Sequence, residues 1–153
     1  FSSQSHRLLA LIASEDKDTA TAESEFKKAV LAGRTPAAYM DLGQFYQRQN
    51  QPDKALEALK AGIDADRRKD ASLVDAASIL TAMNRSPQLA EDLLREYLSS
   101  SAKSDDAPSF KVHVQLGDLL AHQGDATSAH REYAAAAALA SSYAPARKSL
   151  QGS

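Results

Sequence analysis

The sequence predicts an all-α protein, a stack of helix-turn-helix hairpins, on three observations. Alanine is abundant and β-branched residues are sparse, a balance that favours helix over sheet. Apolar residues recur at helical spacing in two stretches, 36–69 and 110–143, that align without a gap. Small residues fall at the same places in both, where the two helices of a hairpin must approach closely.

The elements follow in order. A first hairpin, 3–33, has Leu8, Leu9, Leu11 and Ile12 on one helix. After the polar stretch from Ser14 to Thr19, a second helix carries Ala22, Phe26, Ala29 and Val30. The second hairpin, 36–67, opens with Tyr39, Leu42, Gly43 and Tyr46, while Asp41, Gln44, Gln47 and Arg48 fill the opposite face. Asn50-Gln51-Pro52-Asp53 breaks it: Asn tolerates the left-handed backbone that ends a helix, and Pro suits the first turn of the next. Ala55, Leu59 and Ile63 follow.

The third hairpin, 71–99, runs through Val74 and Leu80 to the break Asn84-Arg85-Ser86-Pro87, then Ala90 and Leu94. A gapless alignment puts Ala77 and Ser78 where Leu42 and Gly43 stand. Residues 99–108 are a polar insertion, read as a surface loop that ends in a helix start near Pro108. In the fourth hairpin, 109–141, Leu116, Gly117 and Leu120 lead to Gly124-Asp125, a helix stop followed by an N-cap. Ala129, Tyr133 and Ala136 come next, and residues 144–151 read as a short C-terminal capping helix. Ala22, Ala55, Ala90 and Ala129 are thus one recurring residue at which helices cross. One hairpin cannot bury its apolar stripe alone, so successive hairpins stack.

The spacing Tyr39-x-x-Leu42-Gly43-x-x-Tyr46, then Ala55-x-x-x-Leu59, resembles the tetratricopeptide signature, and residues 113–136 resemble a second instance. The resemblance covers about residues 3–150 and implies an α-solenoid of about four hairpins in a single domain, 1–153. It also implies a concave groove, lined by the first helix of each hairpin, that receives a peptide or a partner helix. Helical spacing puts Met40, Gln44 and Gln47 on that face, then Asp75, Ile79 and Met83, then Val114, Asp118 and His122. Met40, Ile79 and Val114 fit equally well as packing between adjacent first helices. A Lys and an Asn that would clamp an acidic chaperone tail are replaced by Met40 and Gln44, so that ligand is disfavoured.

Chemistry finds little purchase. With no cysteine, disulfides, thiolate zinc sites and cysteine nucleophiles are excluded. There is no HExxH and no phosphate-binding glycine loop, and no Ser stands in a nucleophile elbow. His122, one turn after Asp118, reads as a surface partner rather than a metal ligand. The reading is a non-enzyme with no cofactor and no metal. The net charge of −2 supplies no field for nucleic acid. The basic run Arg67-Arg68-Lys69 is answered by Asp64, Asp66 and Asp70. No apolar run approaches the roughly 20 residues that span a bilayer.

The function expected is a protein-interaction scaffold. Two alternatives stand beside it: a self-assembling structural subunit, since solenoid ends are unfinished surfaces, or an accessory region of a larger envelope, secretion or pilus-assembly protein. A first residue other than Met points to a processed or excised product, and with the lack of cysteine it leans the reading toward a bacterial, exported location.

Overall fold

The computed structural model describes residues 1–101 and 103–141. These form eight α-helices, with no strand among the described residues. The capping helix expected at 144–151 lies outside them, as does Ala102 of the insertion. The chain divides into two compact units, Phe1–Arg67 and Arg68–Ser153. In the first, α1 (Ser3–Glu15) pairs with α2 (Thr19–Gly33), and α3 (Pro36–Arg48) with α4 (Pro52–Ala65). In the second, α5 (Ser72–Ala82) pairs with α6 (Pro87–Ser99), and α7 (Ser109–His122) with α8 (Ala126–Leu139).

Local chemistry explains where the helices begin. Asp18 accepts from the Thr21 amide at 3.1 Å, Thr35 from Ala38 at 3.2 Å and Asp125 from Ser128 at 3.0 Å. Each supplies a partner for an amide that the first helical turn leaves open. Pro stands in the first turn of α3, α4 and α6, where its missing N–H costs nothing. The turn inside each hairpin ends the first helix with a residue at positive φ: Lys17, Asn50, Asn84 and Gly124.

The anchor alanines carry the packing. Ala22, Ala55 and Ala90 are 0% exposed and Ala129 is 2%. A Cβ added at Gly43 would sit 2.8 Å from Leu59 Cδ2, and one at Gly117 only 2.5 Å from Tyr133 Cε1. The absent side chains are what let these helices cross. The residue four positions after each anchor, Phe26, Leu59, Leu94 or Tyr133, is buried. Each such side chain contributes about 1.5–3 kcal/mol of transfer free energy.

The third hairpin departs from the gapless alignment. Its turn holds four residues, 83–86, where the other three hairpins have three. Both Asn84 and Ser86 are left-handed. The extra residue slides the helix register by one position. Ala77, wholly buried, stands level with Gly43 and Gly117, and Ile79 with Phe45 and Leu119. Ser78 is exposed.

Within the first unit, the hairpins join through the rings of Phe26 and Phe45, 5.4 Å apart. The Tyr46 hydroxyl donates to Glu23 at 2.8 Å, and Arg7 pairs with Asp41. Within the second, Gln115 Nε2 donates to Ser78 Oγ at 2.9 Å. The insertion folds back on its own unit. The buried Tyr97 hydroxyl donates to the Ala107 carbonyl at 2.7 Å and accepts from the Ser104 amide at 2.9 Å.

Candidate functional site: the first-helix faces

Each unit carries a cleft on the face made by its first helices. In the first unit it lies between α1 and α3, about 150 Å³ in volume, with Phe26 and Phe45 among its walls. Leu11, Ser14, Asp41, Gln44, Arg48 and Gln49 complete it. Helical spacing explains the set: Asp41, Gln44, Phe45 and Arg48 recur every three or four residues, so they share one side of α3. In the second unit a cleft of about 430 Å³ is lined by Leu80, Thr81, Asn84, Arg85, Pro87, Leu119, His122 and Gln123.

The two clefts occupy equivalent places in the repeat. Counted from Gly43 and Gly117, Phe45 corresponds to Leu119, Arg48 to His122 and Gln49 to Gln123. Counted back from Ala22 and from Ala90 across its longer turn, Ser14 corresponds to Thr81. Each cleft therefore joins an apolar wall to a basic side chain, an amide and a hydroxyl. The longer third turn adds Asn84 and Arg85 to the second cleft, and the start of α6 adds Pro87.

The electrostatics of the first cleft are simple. Asp41 is tied to Arg7 Nε at 2.5 Å. Gln44, Arg48 and Gln49 are exposed. The Ser14 hydroxyl is buried and meets no hydrogen-bond partner. Between α2 and α3, Glu23 is held below the usual carboxylate range by Lys27 and then by the Tyr46 hydroxyl. That cluster is internally satisfied.

The nine residues expected on a groove are distributed as follows. Gln44 lines the first cleft and His122 the second. Gln47 and Val114 are half-buried. Met40 is only 4% exposed, and its Cε would lie 2.5 Å from a Cβ on Gly62, so it fills the crossing of α3 and α4. Ile79 is 6% exposed, one row away from Gln44 because of the register slip. Met83 falls in the turn after α5. Asp118 accepts the Tyr133 hydroxyl at 2.8 Å. Asp75 borders a separate polar recess of about 500 Å³ with Asp70, Ser72, Ser104 and Asp106.

Sequence reasoning passed over Leu11, Ser14, Arg48 and Gln49 in the first unit and Thr81 and Gln123 in the second. The signal for Arg48 and Gln123 was their position one turn beyond Gln44 and Leu119. Among the described residues, no group of three His, Asp or Glu side chains is placed to hold a metal ion. No described helix is long and apolar enough to cross a membrane.

Residues 36–69 match the family model of the tetratricopeptide repeat. No curated protein matches the chain in sequence. Among solved structures it is similar to MamA, at 19% identity over 93% of this chain and 80% of that one, with a TM-score of 0.69. A second MamA structure aligns at 17% identity over 97% and 78%, with a TM-score of 0.71. The pilF protein of Pseudomonas aeruginosa aligns at 17% identity over 97% of this chain and 65% of that one, with a TM-score of 0.73. At such identities the likeness is one of fold. Taken with the matched repeat, it shows an all-α fold built of helical repeats that carries a tetratricopeptide repeat at 36–69.

Proposed function

We propose that the chain is a non-catalytic scaffold that binds a peptide or partner helix along its first-helix faces. The observation that carries this reading is the recurrence, in each unit, of an apolar cleft edged by an exposed base and amide. A surface selected only for solubility has no reason to repeat that combination. The repeat architecture supports the reading, because helical repeats present continuous faces suited to extended guests.

The test compares proteins captured from the native source by three forms of the chain. Gln44→Tyr with Thr81→Tyr crowds both clefts at exposed positions. Lys60→Glu alters the exposed side of α4 instead. Loss of the same partner from the double variant, but not from Lys60→Glu, is the expected result. Recovery unchanged in the double variant, with circular dichroism intact, rejects the reading.

The outer side of α1 favours a second reading, assembly with copies of itself. Leu9 and Ile12 are 43% and 57% exposed, yet their counterparts Leu42 with Phe45, and Leu116 with Leu119, are buried. Burying such positions against another chain is a strong apolar gain. Light scattering of wild type against Ile12→Glu decides it: a mass that stays monomeric at every concentration removes self-assembly.

A further inference from the structure

We propose that the cleft between α1 and α3 takes up one apolar side chain of an extended acidic peptide and that Arg48 holds the carboxylate beside it. This rests on the first-helix reading above and names the chemistry of the guest. Size comes first. An enclosed space on the order of 150 Å³ accepts a benzene-sized apolar body, which matches a cleft of about 150 Å³ to one leucine or phenylalanine side chain. Phe26 and Phe45 give that side chain an apolar seat, and Leu11, 46% exposed, gives it an apolar lip.

Charge selects what accompanies it. The cleft's lining carries one anion, Asp41, and one cation, Arg48, and Arg7 already neutralises Asp41. Arg48 remains, with no ion pair to another described residue. A carboxylate beside the apolar anchor meets a planar guanidinium suited to it, whereas a lysine there meets repulsion. A polyanion such as nucleic acid is a poor fit, because the chain as a whole carries −2. The remaining polar groups suit a backbone. An extended peptide arrives with unpaired N–H and C=O groups. Gln44 and Gln49 offer both a donor and an acceptor, and the Ser14 hydroxyl is buried with no partner.

The test uses the full chain labelled with ¹⁵N and four blocked hexapeptides. The first is Ser-Gly-Leu-Glu-Gly-Ser; the others replace its leucine by serine, or its glutamate by glutamine or lysine. The first peptide is expected to shift the amides of Leu11, Ser14, Gln44, Arg48 and Gln49. Losing the carboxylate should weaken binding about two- to fivefold, the worth of an exposed ion pair. The lysine and serine peptides should bind more weakly still. Arg48→Gln, on an exposed position that leaves the fold intact, should erase the preference for glutamate over glutamine. If the glutamate and lysine peptides bind equally, or if Arg48→Gln changes nothing, the acidic guest is overturned while shifts on α1 and α3 preserve the broader reading. Shifts confined to α2 and α4, or none at millimolar peptide, sink both.

Discussion

At the scale of single residues, the two crossing glycines are not equivalent. Gly117 lies under the Tyr133 ring, which cannot retreat because its hydroxyl is bound to Asp118. Burial and then that bond push the phenol up to about 12. Gly43 faces the Leu59 side chain instead, which no hydrogen bond ties in place. Gly117→Ala should therefore cost about 1–2 kcal/mol through overpacking. Gly43→Ala should stay near neutral, because the gain in helix propensity of roughly 1 kcal/mol offsets a milder strain. Urea unfolding checks both, and equal losses would refute the distinction. The need for small residues at 43 and 117 was legible in the sequence. Which of them is clamped was not, since that depends on a hydrogen bond from a distant ring. Arg48 was equally hidden: it reads as one polar residue among several on an outward face until the cleft beside it is seen.

At the scale of elements, the turns carry the strain. Each hairpin turn places one residue at positive φ, the third turn two, and in the first that residue is Lys17, at 60°. A left-handed lysine costs roughly 1–2 kcal/mol, part of which glycine would return to the unfolded state as entropy. Lys17→Gly should thus raise stability by about 0.5–1 kcal/mol, while Lys17→Ala should not. Thermal unfolding of the two variants decides it, and a lower midpoint for the glycine form would show the turn to be unstrained. Nothing in the sequence marks Lys17, because Lys carries no preference for that conformation, whereas Asn50 and Gly124 announce theirs. The slip in the third hairpin was hidden for a related reason. Asn84-Arg85-Ser86-Pro87 contains enough turn-formers for either a three- or a four-residue turn. That single residue decides whether Ile79 or Ser78 faces outward.

At the scale of the whole molecule, stability is tied to ionised carboxylates at helix starts and between helices. Hydrogen bonds from Thr21 hold Asp18 below its ordinary value, and those from Ser128 do the same for Asp125. Lys28 and then His6 lower Glu25, as Lys27 and Tyr46 lower Glu23. A group whose folded value is depressed stabilises fully above its unfolded value, and that contribution drains away as pH falls through the folded one. The melting temperature should accordingly be flat from neutrality down to about pH 5 and fall below about pH 4, the carboxylate range. Asp125→Asn keeps a competent cap that cannot titrate, so its acid decline should be shallower than wild type. Parallel declines would place the sensitivity elsewhere. The all-α architecture behind this behaviour was readable from the spacing of Ala22, Ala55, Ala90 and Ala129. The division at Arg67 into two units was not, because the same helical periodicity runs through both.

The clasp that Tyr97 makes around residues 104–107 gives the third hairpin a practical property. One phenol oxygen both donates to and accepts from main-chain groups, so the far side of the segment is pinned while Ser101 stays open to water. Foreign sequence spliced at Ser101, a tag or a reporter, would ride on an anchored stalk at the rim of the polar recess of Ser72 and Asp75, a position that shares no residue with the lining of either cleft.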